Sequence, residues 1–241
     1  MHHIIKRFFT TAFISSWVLF VKAQSASDSL SNTTIKDKLI QQYHAGIGQQ
    51  SNLYNGPVYE PNNIIVKGSA LFSSPDWITG SVIYDGVPYP GTRLKYDMYK
   101  DQLISLLYNN FSSYNLMTPR VSAFDIDGHH FITVPDKPDM DGFFDELYKG
   151  KSQVLVKRKM VVQNSSSLDK LEKEYEYHTY YYVGINNQYY KVSSPSDIDG
   201  LLKTHKKEVQ KYVRANRSNF KKNKELAIVS AVSYYDQISN N

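Results

Sequence analysis

From Tyr59 to Tyr190 the chain runs on a two-residue hydrophobic rhythm, cut at intervals by pairs of residues that accept a left-handed backbone. Alternation sends successive side chains to opposite faces of a strand, and short strands joined by tight corners ladder antiparallel with their neighbours. The run WITGSVIYDGVPYPGTRLKYDMYKDQLISLLY shows the pattern most fully. Corners at Asp85-Gly86 and near Lys100-Asp101 divide it into three strands; Ile78, Val82 and Tyr84 share a face of the first, and Leu94, Tyr96 and Met98 a face of the second. VSAFDIDGHHFITV turns at Asp127-Gly128. GFFDELYKGKSQVLVKRKMVVQ turns at Lys149-Gly150 and enters a long strand with Val154, Val156, Met160 and Val162 on one side. Asn164 to Glu174 reads as a polar excursion. EYHTYYYVGINNQYYKV is a last hairpin around Asn186-Asn187, whose amide side chains tolerate positive φ.

The predicted fold is mainly β with helices (α+β): an antiparallel meander forming a curved sheet, half-barrel or barrel, with a C-terminal helical hairpin. A two-sheet sandwich is the alternative, because alternation does not fix how a sheet curls. Ahead of the strands, Ile35, Leu39, Ile40 and Tyr43 stand at helical spacing and predict a short amphipathic helix lying as a lid on the sheet. After Pro195 the period becomes helical, with Ser196 as the expected N-cap. Ile198, Leu201, Leu202, Val209, Tyr212 and Val213 make one apolar stripe, and Leu226, Ile228, Val229, Val232 and Tyr235 make a second.

The first residues set the compartment. MHHIIKR is a basic n-region, FFTTAFISSWVLFV an apolar h-region and VKAQ a cleavage site after Ala23, which together make an export signal. An uncleaved anchor is the competing reading, but the run is shorter than the roughly 20 apolar residues that span a bilayer, and Thr10, Thr11, Ser15 and Ser16 dilute it. The expected organisation is a signal peptide over 1–23, a flexible leader over 24–34, a short helix plus antiparallel β domain over 35–194, and a helical segment packed on it over 195–241. The expected setting is the periplasm or the extracellular space. No stable membrane span is expected after cleavage. The chain has no cysteine, which excludes disulfides, thiolate metal sites and a lipoprotein anchor.

Loss of Lys6, Arg7 and Lys22 with the signal lowers the formal net charge from +5 to +2. Nine Lys and Arg against the single acid Glu208 lie between Lys203 and Lys224, so the remainder is acidic and the basic charge is local. Lys206, Lys207, Lys211 and Arg214 are the anion-contact candidates there; the competing reading is the solvated face of an amphipathic helix. Export argues against nucleic acid as the partner.

Chemistry-bearing motifs are sparse. Asp136, Asp139 and Asp141 in DKPDMDG sit where calcium ligands would, but Lys137 holds the first ligand position of an EF-hand and Tyr148 the twelfth, so turn formation explains them better. His129 and His130 are adjacent in a strand and point to opposite faces, while His44, His178 and His205 stand alone. GxSxG, GxxxxGK[ST] and GxGxxG are absent, and no catalytic residue, metal site or cofactor is assigned. The tyrosines are the unusual feature: Tyr175, Tyr177, Tyr180, Tyr182 and Tyr189, with Tyr181 and Tyr190, crowd one hairpin. They read either as cross-strand packing or as a platform for sugar rings or a peptide.

YNGPVYEP, WITGSVIYDGVPYPGTRLKYDMYKDQL, GFFDELYKGKSQVLVKRK, YYVGINNQYYKV and KKEVQKYVRANRSNFKKNKELAIVSAVSYYD together resemble a group of uncharacterised secreted proteins of Bacteroidetes-type bacteria. The likeness runs from about Tyr54 to Asp236. It rests on strand and turn patterns, so it carries over no catalytic residue, and it implies a Gram-negative periplasmic or exported setting. The expected function is that of a non-enzymatic envelope protein binding an apolar or glycan-like ligand, an envelope lipid or a protein partner through the curved sheet and the tyrosine-rich hairpin. The alternatives are an envelope hydrolase of glycan or peptide using a carboxylate pair, and an assembly module docking through its C-terminal helices.

Overall fold

The computed structural model describes residues 35–40, 42–43, 46, 53, 55–62, 65–107, 111–167, 170–216 and 220–239, without the side chains of 165–171. The signal peptide and leader lie outside these residues. The chain divides into two compact units, Met1–Lys36 and Asp37–Asn241. In the first only residues 35 and 36 are described, both helical, as the start of α1 (35–40). Leu39 and Tyr43 are exposed. The sheet and the C-terminal helices belong to the second unit.

Ten antiparallel strands form one open sheet: β1 (Ile78–Tyr84), β2 (Val87–Asp97), β3 (Gln102–Leu106), β4 (Ser113–Asn115), β5 (Val121–Ile126), β6 (His129–Thr133), β7 (Phe143–Lys149), β8 (Gln153–Ser167), β9 (Lys170–Ile185) and β10 (Gln188–Val192). The order β10-β9-β8-β7-β6-β5-β1-β2-β3-β4 makes two meanders growing in opposite directions from the β1–β5 pair. A single curved sheet excludes the sandwich, and it stays open because β10 and β4 are its two ends. The corners form where the sequence predicts them. Asp85 and Gly86 (φ 51° and 74°), Asp127 and Gly128 (50° and 75°), and Asn186 and Asn187 (50° and 60°) all carry positive φ, the two-residue hairpin geometry that follows the twist of the strands.

Two expectations need correction. The polar excursion over Asn164–Glu174 is the outer part of a long hairpin, with Gln163 opposite Glu174 and Asn164 opposite Lys173. Ladder hydrogen bonds belong to the backbone, so a polar strand propagates once its neighbour and corner have fixed the register. A strap supports this arm: Lys67 N–H donates to the Lys173 carbonyl at 2.8 Å, and Tyr175 N–H donates to the Lys67 carbonyl at 3.1 Å.

The expected C-terminal helical hairpin is present as α3 (Lys206–Ala215) packed on α4 (Lys224–Ile238), but the apolar stripe read as its first helix is broken, with a separate α2 (Pro195–Leu201) and a 3-10 turn at Lys203–His205 ahead of α3. The cap of α2 is Ser194, two residues earlier than expected. Pro195 has no N–H to satisfy and its φ is already helical, so the helix starts there, and Ser194 and Asp197 close a capping box.

Register places one continuous row of side chains across eight strands: Tyr89, Val82, Phe124, Phe131, Asp145, Val156, Tyr181 and Val192. This row runs through two apolar clusters on the same face. The first packs Tyr84, Leu94, Tyr96, Phe124, Phe131 and Phe143. Phe124 and Phe131 stack at 4.8 Å, while Tyr96 and Phe143 meet Phe124 edge to face. The second packs Val154, Val156, Tyr181, Val183 and Val192 against Ile198, Leu202, Val209, Ile228, Ala231 and Val232 of the helical segment. The helices are therefore part of the core, since without them the apolar stripe of β8 and β9 meets water. Among the described residues, no helix is long and apolar enough to cross a membrane.

Candidate functional site

Asp145 and Arg158 lie on the core face at the seam between the two clusters, both buried. Asp145 Oδ2 accepts from Arg158 Nε at 2.7 Å and from His129 Nδ1 at 2.7 Å, and Arg158 Nη2 lies 2.6 Å away. On its other side Arg158 Nη1 donates to Glu225 Oε1 and to Tyr177 Oη, each at 2.9 Å. Burial pulls the Arg158 guanidinium pKa down, but Glu225, Tyr177 and Asp145 together raise it beyond its ordinary value. No motif in the sequence pointed to this centre. Arg158 sits at a core-face position between Val156 and Met160, and that register is the signal that could have found it.

Two carboxylates do converge here, as a carboxylate-pair hydrolase requires, but a permanent cation fills the space between them. A hydrolase needs that space for the scissile bond and its water. Among the described residues, no hydroxyl hydrogen-bonds to His129, whose Nδ1 is paired with Asp145. Asp236 and Asp97 are also buried, and each accepts hydrogen bonds from its surroundings. Asp236 on α4 accepts from Ser152 N–H and Oγ, each at 2.7 Å, and from Tyr148 Oη at 3.2 Å. Asp97 accepts from Tyr59 Oη and from the N–H groups of Tyr99 and Lys100.

The five candidate tyrosines fall on two faces. Tyr175 and Tyr177 belong to the core side: Asn62 donates to Tyr175 Oη at 3.1 Å, and Tyr177 completes the Arg158 centre. Tyr180, Tyr182 and Tyr189 stand together on the outer face, all half-buried. Gly184 lies opposite Tyr189, and a Cβ on Gly184 would come within 2.8 Å of the Tyr189 ring. The Cδ1–Cε1 edge of the ring therefore packs closely on the bare glycine, and its hydroxyl donates to Gln153 Oε1 at 2.7 Å. Tyr182 meets Phe144 edge-on at 5.6 Å, and Lys191 Nζ stands 4.6 Å from the centre of the Tyr180 ring. Burial raises the pKa of Tyr182 and Tyr189 above the ordinary phenol value. Beneath them Met140, Phe144 and Leu155 form a small apolar floor. The result is an aromatic surface with polar groups at its edge.

Lys206, Lys207, Lys211 and Arg214 all lie exposed on α3, whose apolar side carries the buried Val209. Lys206 is 3.4 Å from Asp199, and the other three have no ion pair among the described residues. His129 and His130 face opposite ways, the latter toward Asp125 at 2.6 Å. Asp136 takes positive φ in its loop, and Asp141 Oδ1 accepts from Gly142 N–H at 2.9 Å. Among the described residues, no three His, Asp or Glu side chains converge on a metal position. The loop borders an open groove of about 700 Å³ between Thr118, Thr133 and Met140. His44 lies outside the described residues.

In comparisons with known proteins, no family model, no curated protein and no solved structure matches this chain. The side chains alone carry the functional reading.

Proposed function

We propose that this is an exported, non-catalytic envelope protein that holds a glycan on the outer face of its sheet, at Tyr180, Tyr182 and Tyr189. The observation that carries the reading is the Tyr189 ring packed on the bare backbone of Gly184 and tied down through its hydroxyl by Gln153. A half-buried aromatic ring fixed at both ends in this way is pre-organised, and the apolar C–H face of a pyranose packs on such aromatic surface while its hydroxyls meet a polar edge. Gln153, Lys191 and the nearby Glu146, which accepts from Gln153, supply that edge. The core face is the less suitable binding surface, because the chain's own phenylalanines and helices occupy it. Export rests on the basic and apolar pattern of the first 23 residues.

The test is titration calorimetry of the protein with neutral and uronate-containing oligosaccharides and with peptidoglycan disaccharide. At least one binds, and Tyr182→Ala and Tyr189→Ala each weaken it by about tenfold, roughly 1.4 kcal/mol. Gly184→Val, which drives the Tyr189 ring off the sheet, has the same effect. Failure of every sugar to bind, or binding that survives all three substitutions, overturns the reading.

A further inference from the structure

The three C-terminal helices leave a crevice of about 180 Å³ between them, open to solvent. Its walls are Ile198 of α2, Val209 and Val213 of α3, Phe220, and Ala227 and Ala231 of α4. The space has a simple origin. Val209 and Val213 stand one turn apart on α3, and the α4 positions that share the crevice with them are both alanines, again one turn apart. Larger side chains at 227 and 231 would fill the gap, as Ile228 and Val232 do against the sheet.

Arg214 lies on the rim. It is exposed, and among the described residues its side chain makes no hydrogen bond or ion pair, so its donors are available to a ligand. Asp199 and Gln210 also border the opening, but they are committed to each other: Gln210 Nε2 donates to Asp199 Oδ2 at 2.7 Å, and Lys206 Nζ lies 3.4 Å from the same oxygen. The acid at the rim is thus neutralised, and Arg214 is the charged side chain of the lining whose donors remain uncommitted among the described residues.

We propose that this crevice binds a small anionic amphiphile, a carboxylate carried on an apolar body of about six carbons. The size follows from volume, since an apolar cavity of about 150 Å³ accommodates a benzene ring. The charge follows from the guanidinium, whose planar fork matches a carboxylate. This site is separate from the tyrosine face and stands or falls independently of it.

The probe is hexanoate, compared with hexanol and hexylamine, titrated against the full chain and followed by ligand-observed NMR. Saturable hexanoate binding at least tenfold tighter than hexanol, and no binding of hexylamine, supports the site. Arg214→Gln brings hexanoate down to the level of hexanol. Ala231→Leu, which fills the crevice, abolishes binding of both, and the gentler Ala227→Val gives the same loss should the leucine variant fold poorly. Absence of saturable binding, equal affinity for hexanoate and hexanol in the unaltered chain, or hexanoate binding untouched by Arg214→Gln each overturns the proposal.

Discussion

At the residue scale the most consequential side chain is Arg158, a cation in a strand otherwise lined with Val154, Val156 and Met160 on that face. Its position was legible, since alternation puts residue 158 on the core side, but its partners were not. Asp145 is 13 positions away and Glu225 is 67 positions away. No local pattern announces a contact of that separation. Removing one member of a buried pair strands the other in an apolar seam, which costs about 3–5 kcal/mol. Asp145→Ala and Arg158→Ala are therefore each expected to lower stability by that amount in urea denaturation. Glu225→Gln, at the half-exposed end of the network, should cost no more than about 1 kcal/mol. If Asp145→Ala proves as mild as Glu225→Gln, the centre does not hold the seam together.

The elements show where sequence reasoning succeeds and where it stops. Hairpin corners at Asp85-Gly86, Asp127-Gly128 and Asn186-Asn187 were readable because positive φ is a local steric requirement that few residues satisfy. The extension of β8 and β9 through Asn164–Glu174 was not readable, because the ladder draws on the backbone and gives polar side chains no distinguishing period. Helix α4 is fastened to the β7–β8 corner by Asp236, which takes three donors from Ser152 and Tyr148. Asp236→Asn keeps the volume but turns one acceptor into a donor, and a buried mismatch of that kind costs about 1–3 kcal/mol. The expected readout is faster amide hydrogen exchange in both α4 and the Gly150–Ser152 corner. Exchange that quickens in only one of them would mean the two are not coupled through this carboxylate.

For the whole molecule, the buried phenols tie stability to pH on the alkaline side. Tyr96 is pushed well above its ordinary value of 10.0, first by burial and then by Asp101 and Asp97; Tyr177, Tyr182 and Tyr189 are also raised, with burial the leading cause. A raised folded value means the native state holds the phenol proton more tightly than the unfolded chain does. This contribution is complete below about pH 10 and is lost as pH climbs from there through the folded values. Ultraviolet absorbance titration should show one set of tyrosines ionising near the ordinary value and a second set ionising later, together with loss of near-ultraviolet circular dichroism. A single ordinary titration of all 20 tyrosines would contradict the packing.

The sequence by itself determined the antiparallel strands, their corners and the helical C-terminus, because these follow from side-chain alternation and from backbone conformations a few residues prefer. That the strands form one open sheet instead of a sandwich was decided by the packing. It also singled out the tyrosines of the β9–β10 hairpin. Alternation along β9 already separates Tyr175 and Tyr177 from Tyr180 and Tyr182; only the tertiary structure decided which of the two faces is covered, that Tyr189 packs on Gly184, and that the helices complete the core around a buried arginine. The order of strands and the meeting of residues far apart in the chain follow from the joint packing of every segment. Two-residue and 3.6-residue periods report which face a side chain takes, and nothing about what stands across from it.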